Sequence, residues 1–251
     1  MIDLHTHILP GLDDGVATVE EARQLAKRAA AEGVTAIAAT PHVRDDYPTT
    51  AEQMEDGVAT LRDDFRAAGI GVDVLHGGEL ALEEVTRLEQ DELRRFSLAQ
   101  SNRYLLLEFP YTGWPLMLES VLAKVQTAGL IPILAHPERN REVQERPERL
   151  EAIVAGGTLV QVTAASLDGR LGKSSQRTAR TLLEHGAVHL LASDAHGPSI
   201  REAGLAAAAA ALRDEALARH LTTDAPAAIV AGDPLPRRPL PQRRRPSFRR
   251  R

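Results

Sequence analysis

The chain has 251 residues, 43% of them hydrophobic and 26% charged, a composition typical of one large globular α/β domain. It contains no cysteine, which excludes a disulfide scaffold, a thiolate zinc site and a cysteine nucleophile. The formal net charge is −5, and removing the eight Arg residues that follow Pro234 leaves −13 for the rest, which argues against broad nucleic-acid binding.

In the first third of the chain, short apolar segments alternate with helical patterns, as in repeated strand and helix units. The sequence predicts strands over residues 1–5, 35–40 and 72–76 and helices over 18–32 and 51–68. Thr18 with Glu21, and Thr50 with Gln53, have the spacing of capping boxes at the starts of these helices, and Gly33 lies where the first should end.

The same alternation continues along the chain. It predicts strands over 104–108, 131–136, 158–162 and 188–193, separated by helices over 116–128, 147–155 and 174–185. About seven units of this kind suit either a barrel or an open doubly wound sheet.

The position of polar residues separates these two folds. Barrel enzymes assemble their sites at the C-terminal ends of many strands, whereas a doubly wound sheet concentrates its chemistry at one switch point. Nearly every predicted strand ends at, or just before, an imidazole or carboxylate side chain, namely those of His5, His7, His42, Glu79, Glu108, His136, Asp194 and His196. The pattern therefore favours a (β/α) barrel.

These eight side chains are candidate metal ligands. His5 and His7 are two apart on an extended segment, so they point the same way and can share an ion. A set this large, without sulfur, exceeds the needs of one tetrahedral ion and suits two or three bridged divalent ions, of manganese, iron or zinc. Any one such residue is more often a buried hydrogen-bonded group, but the coincidence at so many strand ends favours a metal centre. Four other histidines lack this context and receive no role: His76, His185, His189 and His220.

Two arginines are candidates for binding phosphate. Arg139 lies three residues after His136, on the same loop, and a guanidinium donates two parallel hydrogen bonds to phosphate. The alternative is a surface ion pair with Glu138 or Glu142. Arg201 is a candidate for the same role.

Asp13 and Asp14 lie in the loop sequence LPGLDDG and admit two interpretations. Either they orient ligand imidazoles, or they are turn residues of a tight loop. Asp14 is retained as a candidate catalytic residue.

An ordered set of motifs resembles the polymerase and histidinol phosphatase (PHP) superfamily, specifically its manganese-dependent tyrosine phosphatases of capsule and exopolysaccharide synthesis. The motifs, spread over residues 1–232, are DLHTHILPGLDDG, TPH, GE, EFP, HPERN and SDAH. The resemblance implies a distorted, roughly seven-stranded barrel with a trinuclear metal site formed by the eight candidate ligands. It also implies that Arg139 and Arg201 hold the substrate phosphate.

The function implied by the resemblance is hydrolysis of phosphotyrosine on a membrane-associated bacterial tyrosine kinase that controls polysaccharide export. The absence of cysteine accords with it, because the thiolate route is closed. The alternatives are a PHP phosphatase for a small ester such as histidinol phosphate, a metal amidohydrolase with a bridging lysine, and a metal-stabilised interaction module. The match around Asp13 and Arg139 favours the tyrosine branch.

The end of the chain departs from the family pattern. Residues 1–232 are predicted to form the phosphatase domain, and residues 233–251 a disordered Arg/Pro-rich tail. This tail either contacts an anionic membrane surface or an acidic partner, or it solubilises the protein. The start of the chain lacks a secretory pattern, and no window approaches the roughly 20 apolar residues of a membrane span, so a cytoplasmic location is predicted.

Overall fold

A computed structural model describes residues 1–197 and 204–239, in which short, mostly parallel strands are surrounded by helices. The strands are β1 (Ile2–Thr6), β2 (Ala36–Ala39), β3 (His42–Arg44), β4 (Tyr47–Pro48), β5 (Asp73–Leu75), β6 (Glu79–Ala81), β7 (Tyr104–Glu108), β8 (Ile131–Ala135), β9 (Leu159–Thr163) and β10 (Leu190–Ala192). The helices are α1 (Val19–Ala31), α2 (Ala51–Ala67), α3 (Leu82–Arg87), α4 (Gln90–Arg95), α5 (Leu118–Thr127), α6 (Arg141–Glu145), α7 (Arg149–Ala155), α8 (Ala164–Asp168), α9 (Lys173–Glu184), α10 (Leu205–Ala211), α11 (Glu215–Arg219) and α12 (Ala225–Ala231). No helix among the described residues combines the length and apolar character that a membrane crossing requires.

The strands form two hydrogen-bonded ladders, and the chain alternates between them. One ladder has the order β1-β2-β5 and the other β10-β9-β8-β7-β6-β3-β4, with an antiparallel pair at β3 and β4. The chain passes from the first ladder to the second twice, between β2 and β3 and between β5 and β6. Pro41 interrupts the first passage because it has no N–H to donate. Gly78 lies at the second, where a Cβ would lie 2.7 Å from Phe96 Cδ1.

The two ladders close into a barrel where β1 meets the segment after β10. His7 N donates to Ala195 O at 2.9 Å, and Asp194 N donates to His5 O at 2.9 Å. Thr6 and Ala195 form a parallel bridge between the same segments. With β2–β3 and β5–β6 each counted as one interrupted strand, seven strand positions surround the axis. The predicted distorted (β/α) barrel is therefore confirmed.

The helix starts show how local sequence sets the element boundaries. Thr50 accepts a hydrogen bond from Gln53 N while the Gln53 side chain accepts from Thr50 N, which completes the predicted capping box of α2. At α1, Thr18 accepts from Glu21 N, but the Glu21 carboxylate accepts from Ala17 N instead of completing the box. The short strands β3, β4 and β6 and the helices after β10 were not predicted.

Apolar side chains fill the barrel below its polar end. One cluster of buried residues draws on five strands and on α12, so it lies inside the ring; its members include Leu4, Ala38, Tyr104, Leu106, Ile133, Leu190 and Ile229. A larger cluster packs the helices against the outside of the strands. The dense interior provides a rigid support for the side chains at the strand ends.

The chain after α12 crosses the N-terminal ends of the strands. Tyr104 Oη donates to Asp233 O at 2.5 Å, and Arg238 donates to Val188 O at 3.0 Å and Leu183 O at 2.9 Å. Residues 233–239 are therefore held against the barrel, because the Leu183 and Val188 carbonyls accept hydrogen bonds from the Arg238 guanidinium. Residues 240–251 lie outside the described part of the chain, and the domain boundary at residue 232 stays a prediction.

The stability of the fold should depend on pH through His189, just before β10. Its Nδ1 accepts a hydrogen bond from Val160 N at 3.1 Å. Burial, followed by the charge of Arg238, lowers the pKa of His189 to about 4. In the unfolded chain its pKa is about 6.5, so protonation in the acid range favours unfolding.

The stabilisation contributed by uncharged His189 is complete above about pH 6.5 and declines as the pH falls towards the folded-state pKa of His189. We expect the wild type to lose about 3 kcal/mol of unfolding free energy relative to His189→Asn over that interval, because Asn keeps an acceptor but does not titrate. Urea denaturation of both proteins at a series of pH values measures the difference. A difference that stays constant from neutral pH to pH 4 would contradict the expectation.

Candidate metal centre

The eight predicted ligand side chains meet at the C-terminal end of the barrel. Seven have side chains no more than 5% exposed, and the eighth, Glu108, is 14% exposed. Six elements or adjoining loops supply them, from β1 at the start of the chain to the loop after β10. The structure thus brings together every residue of the predicted set.

His5 and His7 lie at the centre of the cluster. Their Nε2 atoms are 3.2 Å apart. Glu79 Oε2 is 3.3 Å from His5 Nε2 and 3.4 Å from His7 Nε2, and Asp194 Oδ1 is 3.5 Å from each. Two carboxylates therefore face the same pair of imidazoles, an arrangement in which a carboxylate can bridge two ions.

Within the described residues, three overlapping groups of side chains could each hold an ion. In each group, one ligand atom per residue lies within 4.8 Å of the others. The groups are His5, Glu79 and His136; His5, His7 and Asp194; and His7, Asp14, His42 and His196. Three groups with shared histidines have the composition expected of a site for two or three ions.

The structure separates the roles of Asp13 and Asp14. Asp14 Oδ1 lies 3.4 Å from His42 Nε2 and 3.3 Å from His196 Nε2, so it is a candidate ligand. The hydrogen bond to His196 is the main reason that the pKa of Asp14 is lowered. Asp13 instead lies behind His7, 2.6 Å from its Nδ1, and accepts from His42 N at 2.9 Å.

Asp13 also makes the turn that the second interpretation predicted. Its Oδ1 accepts from Gly15 N at 2.9 Å, and a Cβ at Gly15 would lie 2.2 Å from His7 O. Both interpretations therefore hold for this residue, since the turn is what aims the carboxylate at His7. Orientation of a ligand imidazole by a carboxylate is a common feature of metal sites.

Gln161 has a similar position behind His5, and the sequence pattern did not predict it. Its Oε1 lies 2.9 Å from His5 Nδ1, and the side chain is fully buried on β9. The available signal was a lone amide in the apolar strand sequence LVQVT. A buried amide in such a strand needs a polar partner.

The donor set fits divalent cations. Among the described residues, the buried atoms His42 Nδ1 and Glu79 Oε2 have no hydrogen-bond partner, although they lie 3.0 Å apart. Burial works to raise the pKa of Glu79, but the nearby imidazoles, with His5 first, outweigh it and hold the pKa well below its usual range. A buried ionised carboxylate with an unused oxygen, among nitrogen donors, is suited to a shared metal ion.

Glu108 differs from Glu79 in its surroundings. Burial, followed by the negative charge of Glu79, raises the pKa of Glu108. Arg44 NH1 donates to Glu108 Oε1 at 2.8 Å, and Arg44 Nε lies 2.7 Å from Asp46 Oδ1. Arg44 is thus a further cation beside the cluster. It lies on β3, a strand that the sequence pattern did not predict.

Arg139 points into the cluster. Its NH1 donates to Asp194 Oδ2 at 2.8 Å, and its guanidinium centre lies 4.4 Å from the centre of the Tyr111 ring. The alternative partners are engaged elsewhere: Glu138 is buried and accepts from Thr163 N, and Glu142 pairs with Arg149. Arg201 lies outside the described residues, so its role stays a prediction.

The four histidines left without a role belong to none of the described groups that could hold an ion; they are His76, His185, His189 and His220. His76, three residues before Glu79, has its pKa lowered by burial and by Arg62. His185 is an exposed residue near Glu151. The odd offset between His76 and Glu79 accords with its separation from the cluster.

Known proteins resemble this chain over most of its length. Residues 1–231 match the family described as capsular polysaccharide synthesis, CpsB/CapC. The tyrosine-protein phosphatase YwqE of Bacillus subtilis is 35% identical over 203 residues, covering 80% of this chain and 79% of that protein. CapC of Staphylococcus aureus is 34% identical over 197 residues, covering 78% and 77%.

A solved structure is also similar over almost the whole chain. It comes from work on YwqE from Bacillus subtilis and CpsB from Streptococcus pneumoniae, described as metal-dependent tyrosine phosphatases. The TM-score is 0.87 at 32% identity, with 96% of this chain and 100% of that chain covered.

Removal of a central ligand should reduce the bound metal. We expect His7→Ala and Asp194→Ala to lose at least one divalent ion per chain, because each belongs to a described group and the chain has no cysteine to compensate. Metal content after purification in manganese, measured by mass spectrometry, tests this. His185→Ala is the matched control, and full metal content in both ligand variants would contradict the assignment.

Proposed function

Because the chain belongs to the CpsB/CapC family of capsular polysaccharide synthesis, we propose that it is a metal-dependent phosphatase that hydrolyses phosphotyrosine on proteins. The observation that carries the proposal is the cluster of buried imidazoles and carboxylates with Arg139 at its edge. Its relatives YwqE and CpsB are described as metal-dependent tyrosine phosphatases. The thiolate route is closed to a chain without cysteine, whereas a metal centre can activate water to hydrolyse phosphotyrosine.

We assign the cluster to two or three divalent ions, with manganese as the preferred metal and iron or zinc as alternatives. The ligands would be the eight predicted side chains together with Asp14. Ions bound there supply Lewis-acid activation of water and neutralise the charge of the phosphate. Donors that are all imidazole nitrogen or carboxylate oxygen suit these metals.

The residues around the cluster have separate tasks. Asp13 and Gln161 hold the outer nitrogens of His7 and His5, and so fix which nitrogen each imidazole turns to the site. Arg139 would donate hydrogen bonds from its guanidinium to the phosphoryl oxygens, whose charge is redistributed in the transition state. The leaving tyrosinate has a pKa of about 10, so protonation of the leaving oxygen can be modest.

The lysine content weighs against a metal amidohydrolase. The three lysines of the chain are Lys27, Lys124 and Lys173, which lie on α1, α5 and α9. None can bridge ions at a strand end. Hydrolysis of a small phosphomonoester such as histidinol phosphate remains the second candidate, because the same cluster would serve it.

Steady-state kinetics on two substrates test the proposal. We expect wild-type enzyme loaded with manganese to hydrolyse phosphotyrosine peptides faster than histidinol phosphate, because an aryl oxide is the better leaving group. A chelator should abolish both activities. A marked preference for histidinol phosphate would establish the second candidate, and no metal-dependent hydrolysis of either ester would reject phosphatase function.

In the same assay, Arg139→Lys should keep its metals and lose about 10- to 100-fold in kcat/KM on phosphotyrosine peptides, because lysine cannot present a fork of two donors. If Arg139 acts mainly in the transition state, kcat should fall together with kcat/KM. Arg141→Lys is the matched control, since Arg141 is an exposed neighbour. A fully active Arg139→Lys enzyme would remove Arg139 from the mechanism.

We further infer that the protein substrate is a membrane-associated bacterial tyrosine kinase and that the enzyme works in the cytoplasm. This rests on the family resemblance and on the basic end of the chain. Residues 233–239 leave the barrel at the end opposite to the metal centre. Contacts made by residues 240–251 with an anionic membrane would therefore leave the catalytic end accessible.

Removal of residues 240–251 should weaken binding to vesicles that contain phosphatidylserine, with no change in hydrolysis of p-nitrophenyl phosphate. The segment carries six Arg and no acidic residue, and each basic residue near an anionic surface contributes about 1 kcal/mol. Co-sedimentation at low and high salt measures the effect, because salt screens this attraction. Equal binding by both proteins at low salt would show that the tail only aids solubility.

A further inference from the structure

The loop between β7 and α5 presents apolar side chains beside the metal centre. Among the described residues, the large hydrophobic side chains exposed to solvent are those of Tyr111, at 42%, and Leu116, which is fully exposed. Both belong to this loop, whose sequence is FPYTGWPLM over residues 109–117. Exposed apolar side chains on one loop beside a site can mark a binding surface.

The loop is held firmly at its base. Asn140 Nδ2 donates to Pro110 O at 2.6 Å and to Gly113 O at 2.8 Å. The Trp114 ring packs edge-on against Phe109 at a centroid distance of 5.8 Å. With its base fixed in this way, the loop presents its exposed side chains in a defined position, which reduces the entropy lost on binding.

Tyr111 connects this loop to the candidate phosphate position. Its ring centre lies 4.4 Å from the Arg139 guanidinium and 5.5 Å from the His136 ring. A phosphate bound by Arg139 would therefore carry its ester group next to Tyr111. An aromatic ester in that position can stack its ring on the Tyr111 ring, whereas an alkyl ester has no ring to stack.

Leu116 follows Pro115, which together with Pro110 lines a cavity of about 290 Å³. The same cavity is lined by Glu108 and Arg44, so it reaches the metal centre from the side of the β3–β4 hairpin. A peptide that continued from the site into this cavity would meet the loop at Pro110 and Pro115. Leu116 then offers an apolar contact beyond the phosphotyrosine itself.

We propose that this loop determines substrate specificity: Tyr111 receives the phosphotyrosine ring, and Leu116 receives an apolar side chain adjacent to the phosphotyrosine. The proposal rests on the phosphotyrosine function proposed above and adds the kind of peptide that is preferred. Its two contacts are separable, because one selects an aromatic ester and the other selects the flanking residue.

Kinetics of the full-length, manganese-loaded protein test both contacts. The substrates are p-nitrophenyl phosphate, glycerol 2-phosphate, and two phosphotyrosine peptides that carry Leu or Ser beside the phosphotyrosine. Tyr111→Ala should lower the ratio of kcat/KM for the aryl ester to that for the alkyl ester about threefold to tenfold, and Tyr111→Phe should restore it. The ratio is informative because a loosened Arg139 would slow both esters alike.

Leu116→Ala should lower the preference for the Leu peptide over the Ser peptide about threefold and leave p-nitrophenyl phosphate unaffected. Thr112→Ala, in the same exposed stretch, is the matched control. If Tyr111→Ala left the aryl-to-alkyl ratio unchanged and Leu116→Ala left the Leu-to-Ser peptide preference unchanged, with metal content and wild-type activity intact, only the specificity role would be overturned. A wild-type enzyme without activity on any aryl phosphate would instead reject the proposed function on which it depends.

Discussion

Five imidazoles and four carboxylates crowd together at one end of the barrel, and most of them are shielded from water. Burial of such groups is unfavourable unless charge and hydrogen-bonding capacity are compensated. Compensation comes partly from within the cluster, since Glu79 faces His5, His42 and His136. Among the described residues, His42 Nδ1 and Glu79 Oε2 remain without hydrogen bonds, and divalent cations could engage such atoms. The barrel is thus organised around a cluster of buried, ionisable groups that could bind metal.

Closure of the barrel is what assembles this cluster. His5 and Asp194 are far apart in sequence, yet backbone hydrogen bonds join their segments directly. Asp3 strengthens the junction, because its buried carboxylate accepts from Ser193 N at 2.9 Å. Burial raises the pKa of Asp3 to about 6, so this carboxylate lies where desolvation opposes its charge. The same junction therefore joins the first and last strands of the barrel and sets the spacing of the candidate ligands.

Backbone conformation at the site is also unusual. His136 has φ of 39° and Asp194 has φ of 52°, a left-handed region that residues other than glycine rarely adopt. Each follows the end of a strand and must turn its side chain towards the barrel axis. Such strain persists only where the surrounding packing determines it, and it is commonly found at functional sites. The apolar interior beneath the cluster supplies that packing.

The sequence by itself determined the class of fold and eight members of the cluster, because strand periodicity and strand ends are local properties. His5, Glu79 and Asp194 could be assigned to one end of a barrel without knowing which atoms would meet. Only the tertiary structure decided that Asp14 joins His42 and His196 while Asp13 supports His7 from behind. It also decided that Gln161 orients His5 and that the first residues after α12 pack beneath the barrel. These outcomes depend on strand register, on the path of loops and on contacts between segments distant in sequence, none of which a local pattern encodes.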